Sequence, residues 1–370
     1  MAIQFTGGSV IFKSNVSALY PFTSFTFTTA GVSGSLGPGI SALRAAYTGS
    51  VSGSYFSNTN YFTTGAFNGY QVWTVPETGT YQIKVAGSRS GMGTGAYATP
   101  TSQYTGSGAV VQANLPLVQG QKIIMVVGAF SDATGSSQSS YTTYMGFGGG
   151  GGTFVVVSGS NTPLLVAGGG GGAGHYTSYN AGAYYYGKNG VTTTSGSASQ
   201  QGVNGGTGSL GGMSHRNSGS LLSGNTYDAG GGAGFLGNGY NGDGTITKPF
   251  STAAYGAGGY SFVSGAIGGN TGTSYIVYAG SPGGFGGGGG GNGIITGGGG
   301  GGYSGGGGSY AGAGPASDGG GGGGSYIYTT ATNVATSDGK YEGLTTFSGS
   351  AITNLNTYNN KLGYVTITKL

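Results

Sequence analysis

Polar and apolar residues alternate along Ser24-Phe25-Thr26-Phe27-Thr28, the period-two pattern of a half-buried strand. The pattern returns in Gln71-Val72-Trp73-Thr74-Val75 and in residues 80–86, where Tyr81, Ile83 and Val85 share a face. Pro76-Glu77-Thr78-Gly79 between them reads as a turn. Residues 109–117 and 122–127 add two strands around Gln119-Gly120, and Gly363-Tyr364-Val365-Thr366-Ile367-Thr368 alternates once more. Residues 31–38 form a turn-rich break, and 40–47, with Leu43, Arg44, Ala45 and Ala46, predicts one short helix. The spacing predicts a mainly β fold with little α-helix, beginning with a jelly-roll-like β-sandwich over residues 1–145.

Beyond residue 146 the alternation gives way to runs of glycine at 148–152, 168–172, 230–232, 286–291, 297–302, 305–308 and 319–324. Each glycine surrenders about 0.5–1 kcal/mol more backbone entropy than alanine in a helix or strand, so neither element suits such a run. Solvated linker is the ordinary reading of glycine tracts. Here, however, the runs adjoin apolar pieces such as Phe154-Val155-Val156-Val157 and Leu164-Leu165-Val166, which a linker does not carry.

The remaining solution is an extended helix of polyproline-II type, with three residues per turn and no internal hydrogen bonds. Six glycines then reach ~19 Å at about 3.1 Å each. Their amides and carbonyls need partners, and bare backbones approach closely enough to supply them. The sequence therefore predicts a polyglycine-II bundle over 146–362, with Gly149, Gly150, Gly169, Gly170, Gly287, Gly288, Gly299, Gly300, Gly321 and Gly322 as lattice positions. Long polar inserts interrupt it at 174–229, 234–282 and 325–361, and residues 363–370 are expected to return to the sandwich as a closing strand.

Charged residues make up 5% of the 370, with a net charge of +4, and the eleven basic residues nowhere cluster. That argues against a nucleic-acid partner. No stretch approaches the roughly 20 apolar residues of a membrane span. The chain has no cysteine, and its opening residues lack the basic and apolar regions of a secretory signal, so synthesis without a signal peptide is expected.

Two histidines, His175 and His215, stand without a nearby carboxylate in sequence, which makes poor material for acid–base chemistry or for a metal. Gly302-Tyr303-Ser304-Gly305-Gly306 matches the nucleophile-elbow pattern, and residues 182–188 spell most of a P-loop before failing at Asn189. Both matches are expected by chance in a glycine-rich chain. The sequence thus predicts no enzyme, catalytic residue, metal or cofactor. The better candidates are aromatic: His175, Tyr176, Tyr179, Tyr184, Tyr185 and Tyr186 sit among Ser, Gly and Asn, the composition of adaptable recognition loops. The competing account is that these rings seal an edge of the lattice.

Several ordered motifs resemble the glycine-rich ectodomain of the anaplastic lymphoma kinase and leukocyte tyrosine kinase receptors. They are Phe27-Thr28-Thr29-Ala30-Gly31, Gly37-Pro38, Tyr61-Phe62, Val72-Trp73-Thr74-Val75-Pro76, Gly79-Thr80-Tyr81 and Ile124-Met125-Val126-Val127-Gly128. The likeness continues through 148–157, 163–172 and 283–303, spanning about residues 25–368. It implies a tumour-necrosis-factor-like sandwich joined to polyglycine helices. The chain lacks the receptors' cysteines, membrane span and kinase, so the cytokine-binding role is not implied. Glycine-rich proteins of phages and large algal viruses are also similar, as are the tip adhesins of some T-even phages.

The expected function is therefore a virion structural protein, a fibre, spike or surface-decorating subunit at the virion surface, that attaches to a glycan or protein receptor on its host. Alternatives are an extracellular or cell-surface filament or matrix subunit, and a receptor-like ligand-binding module. So little charge leaves much neutral surface, which predicts a homo-oligomer or a multi-copy assembly, with trimers preferred from the habit of viral fibres.

Overall fold

A computed structural model describes residues 2–6, 9–13, 17–48, 53–91, 105–131, 144–176, 184–217, 228–246, 255–272, 280–293, 296–310, 318–338 and 362–370. It is mainly β. Strands β1 (Ala2–Thr6) and β2 (Ser9–Lys13) pair as a hairpin. An antiparallel five-stranded sheet runs in the order β15 (Thr332–Ser337), β7 (Val110–Leu117), β6 (Gly79–Ala86), β16 (Tyr364–Lys369), β3 (Ser24–Phe27). A six-stranded sheet runs β14 (Tyr326–Ile327), β11 (Pro163–Ala167), β10 (Thr153–Val157), β8 (Lys122–Val126), β5 (Tyr70–Thr74), β4 (Phe62–Thr64).

The two sheets face each other across one apolar core. Phe27, Tyr81, Ile83, Leu115 and Val365 enter from the first sheet, and Phe62, Trp73, Ile123, Val155 and Leu165 from the second. The short helix α1 (Ile40–Tyr47) closes one side with Leu43 and Tyr47. Its Tyr47 hydroxyl lies 2.7 Å from Gln71 Oε1, which gives the buried amide of β5 a partner.

The sandwich is not confined to residues 1–145. Strands β10, β11, β14 and β15 all come from the region expected to be glycine lattice, and residues 148–152 lead straight into β10 as β11 leads into 168–172. Strand and polyglycine helix are both extended, so the chain passes from one to the other without a linker. Strand β16 lies between β6 and β3, well inside the first sheet.

In the lattice, hydrogen bonds run between segments with a period of three. The amides of Gly297 and Gly300 donate to Asp318 and Gly321, those of Gly298 and Gly301 to Phe147 and Gly150, and those of Gly299 and Gly302 to Gly230 and Ala233. The same run's carbonyls accept from Gly169 and Gly172, from Gly306 and Ser309, and from Gly289. One glycine helix thus stands among six neighbours, three parallel to it and three antiparallel. Three residues per turn point successive amides at successive neighbours, so the pattern follows from the helix geometry.

The run 286–291 departs from expectation at its start. Gly286 and Gly287 have φ of +99° and +81°, and the Gly288 amide returns to the Gly284 carbonyl. They form a reversal, so Gly287 is a turn residue bonded to the lattice, and only the later glycines continue as a helix. The reversal exists to seat Phe285, 1% exposed, against the outer face of the six-stranded sheet. Phe235 and Phe262 arrive at the same face on two further reversals and stack 5.0 Å apart over Phe154, with Tyr70 beside them. This sheet is covered on both faces, which is why β10 and β11 read as unbroken apolar runs.

Candidate functional site

The runs that end in aromatic plugs define the sandwich end of the lattice. At the opposite end, neighbouring runs, parallel and antiparallel, are held together by hydrogen bonds between their terminal described residues. Gly256 donates to Asp228, Gly272 to Gly291, Ser281 to Gly146, Asn292 to Thr296, and Gly297 to Asp318. In sequence, residues 177–183, 218–227, 273–279 and 311–317, which lie outside the described residues, consist mostly of Ser, Thr, Gly, Ala and Tyr.

Four of the six aromatic candidates meet at this end. Strand β12 (Gly174–Tyr176) pairs with β13 (Tyr184–Tyr185), setting His175 opposite Tyr184, and with β9 (Tyr144–Gly146), setting Tyr176 opposite Tyr144. Tyr186 is 48% exposed. Tyr179 lies outside the described residues.

The insert around them is not a free loop. Gly171 donates to the Lys188 carbonyl, Lys188 to Gly320, Val191 to Gly323 and Ser197 to Gly322. Residues 186–191 therefore run as an outer helix parallel to 319–323, and after bends at 192–195 the chain returns antiparallel along the same run, with Ser197 bonded to Gly322 and Gln200 to Gly319. A Cβ on Gly187, Gly190 or Gly196 would strike backbone, whereas the positions between them carry Lys, Asn, Val, Thr and Ser. A helix of three residues per turn at the edge needs glycine only on its inward side. That spacing is the signal that the polar reading of the insert missed.

A second cluster at this end was not visible in the sequence. Asp228, 2% exposed, lies 3.9 Å from His215 Nδ1 and 3.8 Å from Arg216 Nε. Tyr310 stacks on His215 at 3.6 Å, and the Tyr255 hydroxyl accepts from Arg216 at 2.9 Å beneath the guanidinium. Burial pushes the Asp228 carboxyl up to about 7, against the opposing pull of Arg216, and burial with the same arginine lowers the His215 pKa. The fully buried Asp318 accepts from the Ser199 hydroxyl and the Gln201 amide, and burial raises it to about 6. Asp318 immediately precedes a glycine run, in Asp318-Gly319-Gly320, and Asp228 precedes one across a single alanine, in Asp228-Ala229-Gly230. An acid in that position, in a chain with seven acidic residues, was the available clue.

Ser304 of the elbow-like motif is buried where the chain turns, and its hydroxyl accepts the Ser209 amide. Lys188 of the partial P-loop donates to the Ser199 carbonyl. Among the described residues no three His, Cys, Asp or Glu side chains group as metal ligands, and no helix is long and apolar enough to cross a membrane. No protein-family model matches the chain, and no curated protein is detectably similar to it.

Proposed function

We propose that this chain is a non-enzymatic structural subunit of a virus particle, presenting the far end of its glycine lattice to a glycan or protein on a host surface. The observation that carries the reading is that β9, β12 and β13, which bear Tyr144, His175, Tyr176, Tyr184 and Tyr185, pair with one another at the end of the glycine lattice away from the sandwich. Rigid elements hold recognition groups at low entropic cost, and tyrosine offers contact area with few rotatable bonds. The resemblance of glycine-rich chains of this type to proteins of phages and large algal viruses supports the viral setting.

The test is binding of the purified full chain to a panel of immobilised glycans and intact cells. Replacing Tyr184, Tyr185 and Tyr186 together with alanine is expected to reduce binding at least tenfold while the melting temperature holds. Binding that is indifferent to the triple substitution, but lost when the sandwich end is altered at Val118 and Leu370, would move the attachment surface to the other pole.

A further inference from the structure

The reversals that seat aromatic plugs also turn apolar side chains outward. Leu236 follows the buried Phe235, Val263 follows the buried Phe262, and Leu210 follows the buried Ser209. The Leu236 amide donates to Ser209 and the Val263 amide to Phe235, which ties the three turns side by side. From the sandwich, Phe67 lies beside Gly265, and Ser35, next to Leu36, accepts from Gly268. Leu210, Leu236, Val263, Phe67 and Leu36 thus form one rim, each between 41% and 60% exposed. No charged residue occurs in 34–37, 65–70, 205–211, 233–239 or 260–268.

The rim presents on the order of 400–500 Å² of apolar surface, as large as the largest patch of a typical monomer. We propose that it is the contact between two copies of this chain, meeting about a two-fold axis with Leu236 and Val263 at the centre. A second copy fits because an uncharged rim opposite itself brings no like charges together, whereas a charged partner would find nothing to pair with. Two such rims together bury about 800–1,000 Å², in the range of a weak, concentration-dependent contact below the roughly 1,200–2,000 Å² of a standard interface. A patch that meets itself closes as a dimer.

Sedimentation velocity on the full chain is expected to show a concentration-dependent dimer, and Leu236→Glu with Val263→Glu a monomer of unchanged melting temperature. Because the chain has no cysteine, a second measurement is available that does not depend on the glutamate variant folding. Leu236→Cys with Val263→Cys should give a disulfide-linked dimer on mild oxidation, and Val118→Cys at the far end of the sandwich should give none. A monomer at every concentration, a dimer that survives both glutamates, a trimer, or equal cross-linking through Val118→Cys would each overturn the proposal.

Discussion

Placing an alanine at Gly299, in the helix that stands among six neighbours, asks whether the lattice tolerates a single methyl. The new Cβ would lie 2.6 Å from the Gly232 nitrogen and nearer still to the Gly306 carbonyl oxygen, two groups that bond to each other at 2.9 Å. Ordinary contact needs about 3.4 Å or more, so a neighbouring run must shift by roughly 1 Å, enough to open a hydrogen bond of normal length. Gly299 and Gly306 also hold bonds to Gly230 and Gly300, which the same shift strains. Stranding two or three buried backbone groups at ~1–3 kcal/mol each costs about 3–8 kcal/mol. That is a large part of the ~5–15 kcal/mol by which a folded chain exceeds its unfolded state. At ~2–4 °C per kcal/mol, Gly299→Ala should melt roughly 10–25 °C lower by calorimetry, or fail to accumulate as soluble protein. Gly79→Ala is the control, since its nearest neighbour would be the Lys369 side chain at 3.8 Å and its φ is not positive. A Gly299→Ala chain melting within about 2 °C of the wild type would refute a close-packed lattice.

Three further outcomes follow from the geometry. Phe285→Ala empties the space between Gly37, Gly69 and the six-stranded sheet and should cost about 3–5 kcal/mol in denaturant unfolding; a loss under ~1 kcal/mol would mean the plug is dispensable. Gly187→Ala meets Gly171 backbone and should destabilise by several fold more than Tyr186→Ala at its exposed neighbour, whose cost is expected near ~0.5 kcal/mol; equal effects would remove the one-in-three rule for edge helices. Asp228 and Asp318 keep their protons to about pH 7 and 6 in the folded chain, whereas unfolded carboxyls release theirs near pH 4. Folding therefore takes up protons between these values, so their contribution is full below about pH 4 and is lost as pH rises through 6 to 7. The melting temperature should fall from pH 5 to pH 8, and Asp228→Asn should flatten that slope, at up to ~4 kcal/mol for a shift of three units. A melting temperature that climbs across the range, or a slope unchanged in the variant, contradicts the assignment.

The strands of the five-stranded sheet could be read from alternation because they keep one face toward solvent, whereas β5 and β8 of the doubly covered sheet were legible as short runs of β-branched and aromatic residues bounded by turns. The positions of β3, β5, β6, β7, β8 and β16 and the helix at Ile40–Tyr47 all follow from local pattern. Where the reading slipped, the cause was an interaction between distant segments. Strands β10, β11, β14 and β15 belong to the sandwich although they are embedded among glycine runs, because pairing partners rather than neighbours in sequence decide sheet membership. Gly286 and Gly287 are indistinguishable in sequence from the glycines that follow them. Only the need to seat Phe285 makes them a turn.

The candidate site was less legible for a related reason. His215 and Asp228 are thirteen positions apart in a polar insert, and nothing local announces that they lie 3.9 Å from each other. What the lattice does impose is where variation can be accommodated. A helix such as 297–302, surrounded on all sides, has no position at which a Cβ escapes a neighbour's backbone, so its interior can offer a partner neither charge nor shape. Side chains with chemistry are driven to the edge helices, one residue in three being excluded, and to the two ends. At the sandwich end Phe235, Phe262 and Phe285 are turned inward, and the side chains that face outward there are the uncharged ones of the rim around Leu236 and Val263. Polar and titratable side chains are thereby left mainly to the outer turns and to the far end, where His175, Tyr176, Tyr184 and Tyr185 share one small sheet and Arg216, Tyr255 and Tyr310 surround a buried carboxyl.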